Sequence, residues 1–99
     1  MNTQEGKAAK AREERMDFSS ALRCASVQLA ELLQCEPGAV SSMKATEDGW
    51  CADVEVVELE RVPDTMSVMA SYRVSLDADG CLTAYERTRR YARGQIDRR

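Results

Sequence analysis

There is no histidine among these 99 residues. Ser–His and Cys–His activation of a nucleophile therefore cannot be assembled within the chain. No glycine-rich phosphate loop occurs either, which removes the usual nucleotide cradle. The four cysteines, Cys24, Cys35, Cys51 and Cys81, form no C-x-x-C pair, so local zinc-ligand spacing is missing. A four-thiolate site gathered from distant positions and three disulfide pairings stay open, but the ordinary reading in a reducing compartment is free thiols packing as small hydrophobes. No segment approaches the ~18 consecutive apolar residues of a membrane span. Met1 to Arg15 has no apolar core of the kind a secretory signal needs, and an intracellular, cytoplasmic protein is the expectation.

The remaining chemistry is thin. Asp77-Ala78-Asp79-Gly80 resembles the start of a calcium loop, yet its twelfth position is Thr88 rather than a glutamate, so the turn reading prevails. Acids along one strand could in principle pair for glycoside chemistry. Alternating acids are more simply a solvated face or partners for nearby arginines. No cofactor, metal or catalytic residue is expected.

What is present is a soluble-protein composition, sufficient for one small core, and an uneven charge. Asp53, Glu55, Glu58, Glu60 and Asp64 stand against the lone Arg61, whereas Arg87, Arg89, Arg90, Arg93, Arg98 and Arg99 stand against the lone Asp97. Such polarity suits a homo-oligomer or docking on another protein, because opposite patches steer encounter and fix register.

The periodicity predicts one helix and a set of strands. Phe18, Leu22, Ala25, Leu29 and Leu32 recur at spacings of three and four, an amphipathic stripe. Asp17 or a following serine caps its start, and Glu36-Pro37-Gly38 ends it. Val40 to Thr46 is a short strand, and Asp48-Gly49 is a hairpin turn leading into Trp50. Trp50, Ala52, Val54 and Val56 share a face while Val57 and Leu59 oppose it, which implies either two partly covered faces or, the preferred reading, a bulge near Val56-Val57. Pro63 cannot sit inside a strand, so Arg61 to Thr65 is a connection. Val68, Ala70, Tyr72, Val74 and Leu76 alternate cleanly with Met69, Ser71, Arg73, Ser75 and Asp77, the mark of a strand buried on one face. After the Asp77–Gly80 turn, the last strand alternates Tyr85, Arg87, Arg89 and Tyr91 against Glu86, Thr88 and Arg90. The expected architecture is α+β: an N-terminal amphipathic helix packed on a three- to four-stranded antiparallel sheet, in two layers. A flexible arm is expected over residues 1–16, a single domain over 17–94, and a frayed tail over 95–99.

Several separated motifs then agree in order: Gly49-Trp50; Val54-Glu55-Val56-Val57-Glu58; Arg61-Val62-Pro63-Asp64-Thr65; Tyr72 to Asp77 with Gly80; Tyr85-x-Arg87; and Arg90-Tyr91-x-Arg93-Gly94. By these the chain resembles the gas vesicle protein O family over about Phe18 to Gly94. Met66-Ser67-Val68-Met69 departs from the pattern, where an acid and a leucine are expected. The resemblance implies a non-enzymatic accessory role in gas vesicle assembly. The partners it implies are other gas vesicle proteins, either shell or accessory components, and it supplies no individual binding residues.

Surface reasoning supplies those. The candidate protein-docking residues are Arg61, Pro63 and Asp64 in the loop, with Tyr85, Arg87, Arg89, Arg90, Tyr91 and Arg93 on the last strand. The alternative for the same arginine–tyrosine strand is a small nucleic-acid-binding or regulatory module, since arginine binds phosphate and tyrosine stacks on bases. Against it stands a sequence pI near 5.0, where nucleic-acid domains are usually basic. A redox or small-ligand domain using the thiols is a third class.

Overall fold

Asp17 starts the fold. In the computed structural model, which describes residues 16–95, its carboxylate accepts from the Ser20 amide at 3.2 Å and from the Ser20 hydroxyl at 2.7 Å. That satisfies a helical N–H which would otherwise lack a partner. Helix α1 follows over Phe18–Leu33. It ends at Leu33, four residues before Pro37, because Gln34 turns left-handed at φ 55° and closes the helix itself. The expectations for an N-terminal arm and a C-terminal tail fall, except for Met16 and Gln95, outside the described residues. Met16 belongs to the fold: its amide donates to the Ala78 carbonyl at 2.9 Å.

Four strands then form one antiparallel sheet in chain order: β1 (Ala39–Ala45), β2 (Gly49–Leu59), β3 (Val68–Asp77) and β4 (Leu82–Ala92). Strands β1 and β4 are the two edges. The α+β, two-layer expectation holds, with four strands.

One face of the sheet lies under the helix. Ala21, Ala25 and Leu29 meet Trp50, Ala52, Val54, Val56, Ala70, Val74 and Leu76, all buried. Alanines on both sides let the helix backbone settle close, and Phe18 closes the end of the layer edge-on to Trp50, with ring centroids 5.6 Å apart. Such a pair adds about 1 kcal/mol beyond its buried area. Two polar clamps on opposite flanks fix the helix laterally. The Ser26 hydroxyl donates to the Gly38 carbonyl at 2.7 Å. On the other flank, the Gln28 amide donates to the Gly80 carbonyl at 2.6 Å and accepts from the Leu82 amide at 2.9 Å. Gly38 has to be glycine, since a Cβ there would lie 2.0 Å from the Glu55 carbonyl oxygen. The β3–β4 turn is held by Asp77, whose carboxylate accepts from the amides of Asp79 and Cys81, while Gly80 supplies φ +87° without a steric cost. The cysteines are free thiols. Cys24 and Cys35 pack against the core, as expected of small hydrophobes, but Cys81 is exposed.

The sheet is interrupted four times, and these interruptions shape the site. Pairing shifts by one residue at Ser41 in β1, at Glu58 in β2, and at Thr83 and Thr88 in β4. At three of the four, a β-hydroxyl reaches the carbonyl across the ladder: Ser41 to Asp53, Thr83 to Ser75 and Thr88 to Ser71, each at 3.2 Å. A bulge leaves backbone polar groups poorly paired, and a short hydroxyl side chain offers the facing carbonyl a substitute donor.

Candidate protein-docking site

The bulge expected near Val56-Val57 lies one to two residues further on, at Glu58. Its effect is directional. Glu58 is aimed past β3 toward β4, where its carboxylate takes Arg90 Nε at 2.6 Å and an Arg87 terminal nitrogen at 2.9 Å. Strand β3 lies between β2 and β4, so this contact spans it on the side where Arg87 and Arg90 pair with Tyr72 and Ala70. Burial raises the pKa of the Glu58 carboxyl, but the bonds from both arginines outweigh it and the net shift is downward from 4.5.

The bulge at Thr88 corrects the expected alternation of β4. Tyr85, Arg87 and Arg90 pair with Val74, Tyr72 and Ala70, and so share the helix-side face. Arg89 and Tyr91 pair with Ser71 and Met69 on the opposite, open face. The extra residue flips the parity of everything after it. Tyr85 stands 6.3 Å from Tyr72, ring to ring, beside the Arg87–Arg90 pair.

On the open face, Glu55 is the hub. Ser71 and Tyr91 donate their hydroxyls to Glu55 Oε1, the latter at 2.7 Å, and Ser41 donates to Oε2 at 2.8 Å. Desolvation raises the carboxyl pKa, and the three hydroxyls more than reverse it. Tyr91 is pushed up to about 12, by burial first and then by the Glu55 bond. The Arg89 guanidinium lies 4.4 Å over the Tyr91 ring, a cation–π contact. Next to them Asp53 accepts from Arg73 at 3.2 Å and from Ser42 at 2.8 Å. A shallow concavity of about 470 Å³ lies between Ser41, Glu55, Ser71, Arg73 and Arg89.

The loop residues gather at one end of β4. Asp64–Met66 forms a short 3-10 turn after a cis Val62–Pro63 bond. Arg93 reaches Asp64 at 2.5 Å, and its amide donates to the Ser67 carbonyl at 2.9 Å. Residues Arg93–Gln95 form a short 3-10 turn. Asp64 and Arg93 are thus brought together, with Arg61 and Pro63 exposed on the same loop. Of the nine sequence-derived residues, the remaining five divide between the two faces of β4. Sequence reasoning missed Glu58, Glu55 and Ser71 as the residues that hold those side chains in place; the acid-rich second strand was the available signal.

This arrangement contributes less to the fold than the packed layer does. Exposed ion pairs contribute about 0–1 kcal/mol each, while truncating one buried leucine costs about 2–5 kcal/mol. Among the described residues no cluster of three or more metal-type side chains forms. What the arrangement can do is present guanidinium and phenol groups, in fixed positions, along an outer strand.

Comparison with known proteins places the chain. The family model described as gas vesicle synthesis protein GvpO matches residues 4–97. Gas vesicle protein O of Streptomyces sp. (strain CB03234) is 61% identical over 77 residues, covering 78% of this chain and 60% of that protein. The protein of the same name from Haloferax mediterranei is 43% identical over 67 residues, 67% of this chain and 48% of its own. Gas vesicle protein O1 of Halobacterium salinarum is 36% identical over 66 residues, 67% of this chain and 56% of its own. The chain therefore spans about half to three fifths of the length of these relatives. No solved structure matches. With a family match running almost end to end and relatives from both bacteria and haloarchaea agreeing, the chain belongs to the gas vesicle protein O family.

Proposed function

We propose that this chain is a non-enzymatic accessory protein of gas vesicle assembly that works through protein–protein contacts made by β4 and the Arg61–Thr65 loop. Family membership supports the process. The observation that carries the mode of action is the position of β4: it is the outermost strand, exposed on both faces over most of its length, with arginines on each side. Arginine and tyrosine are the side chains enriched where proteins dock. The partners are other gas vesicle proteins, shell or accessory, met in the cytoplasm. No helix among the described residues is long and apolar enough to cross a membrane.

A sequence pI near 5.0 supports protein docking over nucleic-acid binding, because nucleic-acid domains are usually strongly basic. Replacing Arg87, Arg89 and Arg90 with glutamate is expected to abolish pull-down of gas vesicle proteins from vesicle-forming cells, with the circular dichroism spectrum unchanged. Retained pull-down by a folded triple variant would rule the reading out.

A further inference from the structure

Arg87 and Arg90 share a single carboxylate. Each guanidinium carries five N–H donors in a planar fork, yet only one nitrogen of each is engaged by Glu58. Both arginine side chains are about half exposed, at 47% and 55%, while Glu58 is at 24%. The helix-side face at this corner therefore carries two half-exposed guanidiniums tied to one less exposed carboxylate. Tyr85, 46% exposed, flanks the pair on the same face. Over Leu82 to Arg93 the chain carries four arginines against the single acid Glu86.

We infer that this corner is a carboxylate-binding site for an acidic segment of a partner protein, and that Glu58 occupies it as an internal competitor. The inference rests on the proposed docking role of β4 and adds the chemistry of what docks. A partner carboxylate makes bidentate contact with the free edges of the two guanidiniums, the geometry in which arginine recognises carboxylates, and its apolar neighbours pack on Tyr85. Backbone strand addition along the whole edge is disfavoured, because the bulges at Thr83 and Thr88 cut β4 into short regular runs, a device that blunts edges. A second copy docked through the same strand is disfavoured too, since it would bring arginines against arginines. The occupant is thus acidic, is not the β4 of a second copy, and is recognised by side chains.

The competitor gives the proposal a distinctive test. The full-length chain is titrated calorimetrically at low salt with oligo-glutamate, and in parallel with oligo-glutamine and oligothymidylate. The wild-type chain is expected to bind oligo-glutamate and neither of the others. Arg87→Gln with Arg90→Gln weakens that binding about tenfold or more, as loss of a charge-assisted bidentate contact does. Glu58→Gln instead tightens it about fivefold, because both forks are released. Arg73→Gln, which alters the net charge by the same amount as one of the β4 changes, leaves it within about twofold. The gain in Glu58→Gln cannot come from misfolding, so it remains informative if the double arginine variant fails to fold. Unchanged or weaker binding by Glu58→Gln would overturn the inference. So would equal losses in Arg73→Gln, or tighter binding of oligothymidylate through the same arginines. Oligo-glutamate binding in a chain that pulls down no gas vesicle protein would count against the proposed function alone.

Discussion

The two faces of one sheet obey different rules. Along β3, Ala70, Val74 and Leu76 face the helix and are buried; Ser71, Arg73 and Ser75 face away and take part in polar contacts. The helix-side face is specified by volume. Small alanines and a few large side chains fit only one docking of α1, and two hydrogen-bonded clamps prevent it from sliding. The open face is specified by hydrogen bonds around Glu55 and Asp53, with no layer above it. Strand β4 belongs to neither regime, since the helix leaves most of it uncovered. The difference teaches that stability lives in the first face, and that β4 is available for recognition because little of the folding free energy depends on it.

That contrast can be broken from the packed side first. Leu29→Ala, at a fully buried position, is expected to cost about 3 kcal/mol, within the ~2–5 kcal/mol range for such truncations, read from urea unfolding. A loss below about 1 kcal/mol would mean that the helix layer is not the main source of stability.

On the open face the expected effect is smaller and spectroscopic. Glu55→Gln removes the anion that holds the Tyr91 phenol. The cost in stability is about 1 kcal/mol, and the tyrosinate titration of Tyr91, at about 12 in the native chain, moves back toward the ordinary 10.0. Because that pKa is raised on folding, its stabilisation is complete below pH 10 and disappears as pH rises through about 12,. Ultraviolet titration of the tyrosines reads the shift; Tyr91 titrating at the same pH in both proteins would contradict the Glu55 contact.

Acid works in the other direction. Glu55 and Glu58 both have pKa values lowered from 4.5, so their contribution is present above that pH and is lost as pH falls through the lower native values. The unfolding midpoint should drop on acidification below 4.5, and Glu58→Gln should remove part of that drop. A midpoint equally steep in wild type and variant would show that the Glu58 fork contributes nothing to the fold. Smallest of all is Arg73→Gln, which removes a half-exposed pair with Asp53. Its expected cost is below about 0.5 kcal/mol, and a larger one would mean that the open face is more than a solvated surface.

Much of this was legible in the residues. The helix over Phe18 to Leu33, the Asp17 cap, the Asp48-Gly49 hairpin and the clean alternation from Val68 to Leu76 each follow from periodicity or turn chemistry. The pairing of β4 arginines with acids of the second strand was also readable from charge, as was the family resemblance from separated motifs. What was not readable is parity beyond a bulge. Thr88 looks like any strand threonine, and only its pairing shows that it inserts between Arg87 and Arg89 and sends Arg90, not Arg89, to the helix-side face. The reach of Glu58 was hidden for the same reason. Strands β2 and β4 are not neighbours, so charge shows that acids and arginines match but not which carboxylate reaches across β3 to which arginines.

The most direct measurement is hydrogen-exchange and arginine-labelling footprinting of the chain, alone and bound to gas vesicle proteins recovered from vesicle-forming cells. Protection confined to Tyr85–Arg93 and the Arg61–Thr65 loop, with α1 and the Glu55 face unchanged, is the predicted result. Protection centred on α1 or on the Asp53–Arg73 face, with Arg87 and Arg90 still freely labelled, would contradict it.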